Sequence, residues 1–216
     1  LSKLEELYDK CNEHPIKYTE NIYHQSFGNQ LIEDYNIVSL ISSASIGQVY
    51  KIQCKNTKQY YALKCIHPDI KIQINFFDII IKILYNTPGL NAYVRYYVPL
   101  NLSNFIHDFK IQTNLINEAN NCLKFYNIYK DNDYIIIPKI EKVSKDIIVM
   151  TYEDGDKYHV DNQSEYINQK IWGLIRLFTK NNEIVNNFIH GDMHKGNWKI
   201  RSEKSDVKLV VYDFGF

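Results

Sequence analysis

Asp192, Asn197 and Asp213 are the residues whose types and spacing indicate chemistry most directly in this 216-residue chain. Asn197 follows Asp192 by five positions, and Asp213 follows Asn197 by sixteen and opens an Asp-Phe-Gly tripeptide. Phosphoryl transfer from Mg-ATP requires one carboxylate that orients an attacking hydroxyl, and an amide oxygen and a second carboxylate that hold Mg²⁺. We therefore interpret Asp192 as a candidate catalytic residue and Asn197 and Asp213 as candidate metal ligands. The alternative is that the two aspartates are solvated turn residues.

The residues between Asn197 and Asp213 predict a hairpin that brings these two side chains together. Residues 198–200 and 207–212 are mostly apolar and rich in β-branched or aromatic side chains, which is typical of short strands. The polar residues 201–206 between them predict a turn. Such a unit would return Asp213 to the side of Asn197, where one metal ion could contact both.

Lys64 is the candidate phosphate-binding cation. It lies within Tyr-Tyr-Ala-Leu-Lys-Cys-Ile at residues 60–66, which predicts a largely buried strand. A lysine between apolar neighbours is costly to bury unless its ammonium is paired. Nucleotide phosphates and a helical glutamate would supply that pairing, whereas a lysine at a strand edge would keep its head in water.

A loop of small residues precedes the lysine strand, at the place where a phosphate-binding loop is expected. Residues 41–50 read Ile-Ser-Ser-Ala-Ser-Ile-Gly-Gln-Val-Tyr and contain one glycine. Small side chains let backbone N–H groups approach phosphates, although serine and alanine have less freedom of φ than glycine. The candidate nucleotide-binding residues of this loop are Ser43, Ala44, Ser45, Ile46, Gly47, Gln48 and Val49.

This loop resembles the A-A-A-S-I-G-Q-V loop of the UbiB-type atypical kinases, also called the ADCK or AarF-domain family. Residues 62–68 are similar to the family's V-A-V-K-V-Q-H-P, and residues 190–197 resemble its H-x-D-x-H-P-G-N. Residues 108–121 resemble a long helix of the family that ends in E-A-x-N. The resemblance covers nearly the whole chain, and its most specific element is S-I-G-Q-V.

The resemblance implies an α+β, protein kinase-like fold with a complete N-lobe and an incomplete C-lobe. Residues 1–36 would form a helical extension, and residues 37–152 the N-lobe. The N-lobe would include a helical insertion at about 69–100. Residues 153–216 would begin the C-lobe with the hinge, the catalytic loop and Asp-Phe-Gly. Because the chain begins at Leu1 and stops one residue after this tripeptide, we expect a cropped chain, a split gene or a decayed homologue.

The resemblance also assigns roles to further residues. Glu118 would be the helical glutamate that pairs with Lys64 and would share its catalytic role. An imperfect apolar stripe predicts one helix over residues 103–129, with Glu118 near the stripe; the alternative is an exposed glutamate. Tyr152 and Glu153 would belong to the hinge, where backbone groups meet the adenine edge. The implied cofactors are ATP or ADP and Mg²⁺.

Four positions depart from the family pattern. Gln112 and Asn114 stand where the family has the two acids of an E-x-D motif before the paired glutamate. Lys195 replaces the proline of H-P-G-N, and Gly191 stands where protein kinases have the arginine of H-R-D. We find no K-x-G-Q motif of the family's N-terminal extension. The loss of the two acids argues against an extra metal or regulatory contact at Gln112 and Asn114. The loss of the arginine at Gly191 argues against control through a phosphorylated activation loop.

The resemblance implies an ATP-dependent kinase or ATPase, linked to isoprenoid-quinone or lipid metabolism. A second hypothesis is an inactive nucleotide-binding pseudokinase or scaffold, because of the single-glycine loop and the lost acids. A third is a small-molecule phosphotransferase of the aminoglycoside or choline kinase type, which shares H-G-D-x-H-x-G-N but lacks S-I-G-Q-V. The substrate would be a small molecule, a lipid or a protein, and a partner chain could complete the C-lobe.

Composition limits the other classes of function. The net charge is zero, with 25 basic and 25 acidic residues. There is thus no electrostatic reason to expect nucleic acid or an anionic membrane as a binding partner. Four scattered cysteines predict reduced thiols, as in the cytoplasm or another reducing compartment. The histidines have no spacing typical of a zinc site. The longest apolar run, at 76–84, contains Asp78 and Lys82 and is too short to span a bilayer.

Overall fold

The computed structural model describes residues 13–98, 100–159, 164–203 and 206–215. The predicted helical extension is therefore described from residue 13 onward, and its first part lies outside the described residues. The helices in this part of the chain are α1 Ile16–Phe27, α2 Leu31–Asp34, α3 Ile70–Asn86, α4 Leu90–Tyr97, α5 Leu102–Gln112, α6 Leu115–Tyr129 and α7 Glu165–Ile184. The strands are β1 Tyr35–Ser43, β2 Gly47–Cys54, β3 Tyr60–Ile66, β4 Ile135–Ile136, β5 Ile140–Val143, β6 Ile147–Thr151, β7 Trp198–Glu203 and β8 Asp206–Val211.

A five-stranded antiparallel sheet forms the first lobe, in the order β1-β2-β3-β6-β5. One face packs against α1 and α2 through a core that includes Tyr23, Leu31 and Leu63. The other face packs against α6 through Leu115, Ala119 and other buried residues. The central strand β3 is thus covered on both sides, which explains why its sequence is mostly apolar.

A three-stranded sheet in the order β4-β8-β7 begins the second lobe. Strands β7 and β8 form the predicted hairpin, and β4 pairs with β8 in parallel. Helix α7 packs on β8, and the core between them contains Phe178, Leu209 and Phe214. Phe125 of α6 belongs to the same core, so this helix connects the two lobes.

Helices α3 and α4 lie between the lysine strand and the helix that carries Glu118, in the segment of about 69–100 that the family resemblance describes as an insertion. Ile74 and Ile81 of α3 and Ile106 of α5 make a small separate core. Lys110 of α5 forms an ion pair with Asp78 of α3 (2.6 Å). Helix α3 is therefore stabilised largely by its contacts with α5. In the part of the chain that is described, no helix is both long and apolar enough to cross a membrane.

The prediction of one continuous helix over residues 103–129 is wrong. The chain forms α5 and α6, which are separated at Thr113 and Asn114. The Asn114 side chain accepts a hydrogen bond from the N–H of Ile116 (3.3 Å) and thereby caps α6. Asn114, which replaces an acid of the family pattern, is thus a helix cap here.

The two strands that follow α6 are short. Strand β5 reads Ile-Glu-Lys-Val and pairs with β6 in the first sheet. Strand β4 pairs with β8 in the second sheet. Strand β7 extends to Glu203, so the polar segment predicted as a turn at 201–206 is largely strand. Residues 204–205, within that segment, lie outside the described residues.

Candidate functional site

Lys64 lies between two carboxylates at the boundary of the two lobes. Its Nζ is 2.8 Å from Oε2 of Glu118 and 3.3 Å from Oδ1 of Asp213. Strand β3 holds the lysine in register between Val49 of β2 and Ile148 of β6. The expected contact of Lys64 with a helical glutamate is therefore present, and it includes the aspartate of Asp-Phe-Gly as well.

The position of Glu118 follows from the way α6 begins. Asn114 caps the helix, and Glu118 lies in its first turn, where the helix dipole favours negative charge. The side chain is 4 % exposed, so the alternative of a solvated glutamate is excluded. One helical turn later, Nδ2 of Asn121 donates to the carbonyl of Phe214 (3.0 Å). The two polar residues of the E-A-x-N pattern thus contact Lys64 and the Asp-Phe-Gly backbone respectively.

Burial and pairing shift the pKa values of this charge cluster in opposite ways. Burial lowers the pKa of Lys64, but Asp213 and Glu118 outweigh it and raise that pKa above its ordinary value. Burial, together with the negative charge of Asp213, raises the pKa of Glu118 more than Lys64 lowers it. Burial also acts to raise the pKa of Asp213, but Lys64, the Gly215 N–H and His190 hold it below the usual range. Asp213 is therefore the stronger acid of the two, and Lys64 is a cation.

Asp213 has a left-handed backbone, with φ of 52°. Few non-glycine residues adopt this conformation, and aspartate is among those that tolerate it. Its Oδ1 accepts a hydrogen bond from the N–H of Gly215 (3.3 Å), which stabilises the turn. Phe214 then points into the core, 2 % exposed and 5.2 Å from the ring of Phe125 between ring centroids. The buried phenylalanine and the turn together direct the Asp213 carboxylate toward Lys64.

Asp192 and Asn197 are joined by two hydrogen bonds. Nδ2 of Asn197 donates to the carbonyl oxygen of Asp192 (2.9 Å) and to its Oδ2 (3.1 Å). The N–H of Asp192 donates to Nδ1 of the buried His190 (3.3 Å). A neutral imidazole has one donor and one acceptor, so Nε2 of His190 carries the proton and donates to the carbonyl of Tyr212 (3.1 Å). His190 thus connects the Asp192 loop to the Asp-Phe-Gly segment.

Tyr212 connects three parts of the site. Its N–H donates to the carbonyl of Asn197 (2.8 Å), and its own carbonyl accepts from His190. Its hydroxyl donates to the carbonyl of Glu153 (2.7 Å). The backbone of Tyr212 therefore lies beside Asn197, as the hairpin prediction requires. Sequence reasoning missed the contribution of Tyr212 and His190, because both depend on contacts between segments that are distant in the sequence.

The candidate phosphate loop is held closely against β3. A β-carbon at Gly47 would lie 2.4 Å from the carbonyl oxygen of Cys65, so close approach of the two strands requires glycine there. At the start of the loop, the N–H of Ala44 donates to the carbonyl of Gly47 (3.0 Å). The carbonyl of Ala44 contacts Nε2 of His67 (2.9 Å). Ser43 is buried, with its hydroxyl 3.4 Å from the same His67 nitrogen.

Gln48 contacts the N-terminal segment instead of facing a ligand. Its side-chain amide accepts from the N–H of His14 and donates to the carbonyl of His14, both at 3.0 Å. Nδ1 of His14 also lies 2.8 Å from Nδ1 of His67. The side chain of Gln48 is fully buried, so any contact of this residue with a nucleotide would come from its backbone.

Of the remaining residues of the loop, two contact neighbouring elements and two are exposed. The side chain of Ile46 packs against the core beneath α6, and its carbonyl accepts from the N–H of His67 (2.9 Å). Val49 lies in β2 opposite Lys64 and Ser42, so its side chain is on the same face of the sheet as that of Lys64. Ala44 and Ser45 are exposed at the tip of the loop. Of these two exposed residues, Ser45 is the one whose side chain could donate a hydrogen bond to a ligand.

Tyr152 and Glu153 follow β6, where the hinge was predicted. The N–H of Tyr152 donates to the carbonyl of Tyr60 (3.1 Å), and its ring lies 4.1 Å from Nζ of Lys51. The Glu153 carboxylate accepts hydrogen bonds from Thr151 and Arg201, each at 2.9 Å. Both residues line an open cavity of about 580 Å³ that is bounded by the turn between β2 and β3, not by the phosphate loop. Side-chain contacts with a nucleotide beside Lys64 are therefore not indicated for these two residues.

Asn197 and Asp213 have the chemistry that a magnesium ion prefers. Since Nδ2 of Asn197 is directed to Asp192, its Oδ1 is left to accept a ligand. Asp213 uses Oδ1 for Lys64 and Gly215, and among the described residues its Oδ2 has no hydrogen bond. In the described ranges no three His, Cys, Asp or Glu side chains form a metal-binding group. Two oxygen donors agree with Mg²⁺ bound mainly by phosphates and water.

The family model of the ABC1 atypical kinase-like domain matches residues 6–216 of this chain. The chain belongs to this family. The match covers the strand of Lys64, the helix of Glu118 and the segment from His190 to Asp213, whose geometry is given above. The resemblance to UbiB or AarF-domain kinases is thereby confirmed, and the domain is kinase-like.

Curated relatives of this ABC1 domain include kinases of two eukaryotes. The probable serine/threonine-protein kinase abkC of Dictyostelium discoideum is 25 % identical over 213 residues, which cover 95 % of this chain and 31 % of abkC. The chloroplastic protein ACTIVITY OF BC1 COMPLEX KINASE 3 of Arabidopsis thaliana is 27 % identical, over 81 % of this chain and 25 % of that protein. The chain thus spans about a third or less of the length of these relatives.

A solved structure confirms the fold of this ABC1 domain. Rv3197 of Mycobacterium tuberculosis, determined in complex with erythromycin, superimposes with a TM-score of 0.75. The two are 17 % identical, and the alignment covers 94 % of this chain and 51 % of Rv3197. The predicted α+β, kinase-like fold is therefore correct.

Proposed function

We propose that this ABC1 domain binds Mg-ATP and transfers the γ-phosphoryl group to a hydroxyl acceptor. The observation that carries the proposal is the position of Lys64, whose ammonium lies 2.8 Å from Glu118 and 3.3 Å from Asp213. A cation held by one buried carboxylate, beside a second carboxylate able to bind a metal, matches what phosphate binding requires. The pair Asp192 and Asn197 adds a base candidate and an amide oxygen next to it.

Each residue has a defined part in the proposed reaction. Lys64 would bind phosphate oxygens while Glu118 keeps its ammonium in place. Asp192 would orient the acceptor and take the proton of its hydroxyl. The acceptor oxygen would form a bond to the γ-phosphorus, the bond between that phosphorus and the β,γ-bridging oxygen would break, and ADP would leave. These interactions position the reactants and stabilise charge, and these are the two contributions that a protein makes to phosphoryl transfer.

Asn197 and Asp213 would hold the magnesium ion through Oδ1 and the carboxylate respectively. Bound Mg²⁺ neutralises charge that develops on the phosphates. The backbone amides of residues 43–49 would approach the phosphates from the other side, while Tyr152 and Glu153 would contribute backbone groups at the adenine edge. The alternative cofactor is ADP, which the same groups could bind.

The acceptor is proposed to be a small molecule or a lipid, with a link to isoprenoid-quinone metabolism as in the UbiB family. Water as the acceptor would make the domain an ATPase with the same residues in the same roles. Both versions produce ADP, and water is present in every assay, so ADP release from Mg-ATP alone tests the version in which water is the acceptor.

The proposal is tested by thermal-shift titration with Mg-ATP and Mg-ADP. Ligand at a hundred times its dissociation constant stabilises by about 2.7 kcal/mol, which at this size is a rise of roughly 5–10 °C in Tm. We expect a magnesium-dependent shift that Asp213→Asn removes and that the exposed control Asp131→Asn keeps. No shift for the folded wild type with either nucleotide would reject nucleotide binding.

Turnover is tested separately from binding. In single-turnover assays of phosphate release, we expect Asp192→Asn to slow the reaction at least about tenfold, with the thermal shift retained. An unchanged rate would remove Asp192 from the mechanism.

A nucleotide-binding pseudokinase is the second candidate. It is favoured by the hydrogen bonds that hold the phosphate loop, since His67 occupies the carbonyl of Ala44 and the loop has one glycine. This candidate predicts the magnesium-dependent thermal shift without any release of ADP above the rate of Asp192→Asn.

A further inference from the structure

Two donors approach the same oxygen of the Asp192 carboxylate. Nδ2 of Asn197 donates to Oδ2 at 3.1 Å, and Nε2 of His194 lies 3.3 Å from the same Oδ2. Among the described residues, none donates a hydrogen bond to Oδ1 of Asp192. The carboxylate is therefore contacted on one oxygen and left open on the other.

The Nδ1 side of the His194 ring is fixed by the backbone of the same loop. Its Nδ1 accepts a hydrogen bond from the N–H of Gly196 (2.9 Å). A neutral imidazole that accepts at Nδ1 carries its proton on Nε2, and this is the nitrogen that faces Asp192. A β-carbon at residue 196 would lie 2.6 Å from Cε1 of His194, so the glycine makes room for the ring.

We propose that His194 is a positioning residue for Asp192, an inference that rests on the proposed phosphoryl transfer. Its Nε2–H donates to Oδ2 of Asp192 and, with Asn197, stops the carboxylate from rotating. Oδ1 is then the atom that faces the acceptor hydroxyl and receives its proton. His194 itself touches neither acceptor nor nucleotide in this role.

Rotation of the carboxylate is the reason that a second donor matters. The terminal torsion of an aspartate is broad and nearly two-fold, so one hydrogen bond leaves much of this freedom. Asn197 also has a second proposed task, because its Oδ1 would bind magnesium. Hydrogen bonds of catalytic groups are often long before substrate binds and shorten in the complex, which agrees with the 3.3 Å separation of His194 and Asp192.

His194 is a favourable residue for a clean test, because its side chain is 60 % exposed. Its replacement leaves no cavity in the core. Two substitutions separate its two nitrogens. His194→Asn places an acceptor near the position of Nδ1, so the contact with Gly196 is kept and the donor to Asp192 is lost. His194→Gln places an amide donor near the position of Nε2, so the donor is restored.

The experiment measures kcat and KM for release of ADP from Mg-ATP in both variants, with thermal-shift titration of the nucleotide alongside. The exposed His24 of α1 provides a matched control as His24→Asn. We expect His194→Asn to lower kcat about tenfold or more with KM nearly unchanged, because misplacement of a reacting group affects the chemical step. We expect His194→Gln to recover most of the loss and His24→Asn to equal the wild type.

Two results would overturn the role of His194: a kcat of His194→Asn equal to that of the wild type, or a His194→Gln variant as slow as His194→Asn. A third readout is the ¹⁵N spectrum of the wild-type imidazole in alkaline buffer, where a proton on Nδ1 would also overturn it. If the wild type binds Mg-ATP but releases no ADP, transfer to water is rejected, and the role of His194 in that transfer is rejected with it. That outcome is distinct from wild-type turnover with unaffected variants, which rejects the role of His194 alone.

Discussion

The Lys64 ammonium lies 3.3 Å from the Asp213 carboxylate, although 149 positions separate the two residues in the sequence. Lys64 belongs to the first lobe and Asp213 to the loop after the last strand of the second. A single lysine therefore contacts carboxylates of both lobes, because Glu118 of α6 is its second partner. The free energies of the two contacts should be unequal, since Glu118 is almost fully buried and the Asp213 side chain is 40 % exposed.

The first prediction concerns the loss of either member of the buried pair. Lys64→Met leaves the Glu118 carboxylate buried without its cation, and removal of one partner of a buried pair typically destabilises by about 3–5 kcal/mol. Glu118→Gln should lower the free energy of unfolding by less, because Lys64 keeps Asp213 as a partner. Urea denaturation measures both, and a larger loss for Glu118→Gln than for Lys64→Met would contradict the prediction.

The second prediction compares two glycines. Gly47→Ala would place a β-carbon 2.4 Å from a backbone oxygen of β3, so the strands must separate. We expect a loss of roughly 1–3 kcal/mol in the free energy of unfolding, as for other overpacked sites. At Gly173 in α7, no neighbouring atom lies within 4 Å of the place that a β-carbon would occupy. Gly173→Ala should therefore stabilise by about 0.4–1 kcal/mol.

Thermal or urea unfolding of the two alanine variants provides the comparison. Equal effects of the two substitutions would show that the contact of β2 with β3 is looser than its geometry indicates. The same measurement on Gly47→Ala with Mg-ATP would show whether the strand separation reaches Lys64, which lies opposite Val49.

The third prediction is a dependence of stability on pH. Hydrogen bonds from Lys142 and Tyr23 hold the pKa of Asp34 below its ordinary value. A depressed pKa contributes stability above the unfolded pKa, and this contribution is lost as pH falls through the folded pKa. The loss should therefore develop below about pH 4, near the ordinary value for aspartate. Asp34→Asn should show a smaller decrease of stability in that range than the wild type.

Urea midpoints measured between about pH 5 and pH 2.5 test this prediction. Asp131→Asn is the control, because Asp131 is exposed and forms no ion pair in the described part of the chain. A decrease in Asp34→Asn as steep as in the wild type would mean that Asp34 is not linked to acid unfolding.

The fourth prediction concerns the link between Gln48 and the N-terminal segment. Gln48→Leu keeps the volume of the side chain but removes both hydrogen bonds to the backbone of His14. Each buried polar group left unsatisfied costs about 1–3 kcal/mol. We expect faster hydrogen exchange at residues 13–19, with exchange in α7 unchanged. The exposed Gln25→Leu is the control. Equal protection of residues 13–19 from hydrogen exchange in the two variants would contradict the prediction.

Much of the site could be predicted because it depends on local patterns. Lys64 lies on an apolar strand, and the contact with Glu118 follows from the family pattern. The hairpin of β7 and β8 follows from two apolar runs. The strands can be recognised from the residue types within one segment, and the site residues from their spacing in the family pattern. The roles of these residues in catalysis stay predictions.

The remaining features depend on contacts across the fold. The side-chain amide of Gln48 is bound to His14, 34 positions earlier in the sequence, and no local pattern predicts this contact. The break at Thr113 and Asn114 was missed because the apolar stripe continues across it, with no proline or glycine to mark the end of α5. The contact of His194 with Asp192 was missed because histidines were considered only as zinc ligands.

The hydrogen bond from Tyr212 to Glu153 has a consequence for inhibitor design. A compound directed at the carbonyl of Glu153 would find that acceptor already bonded to a phenol at 2.7 Å. To bind there it would have to displace the hydroxyl of the residue that precedes Asp213. A chemical scaffold that succeeded would thus disturb the Asp213 loop from the side of Glu153, and under the proposed role of Asp213 its potency would vary with magnesium concentration.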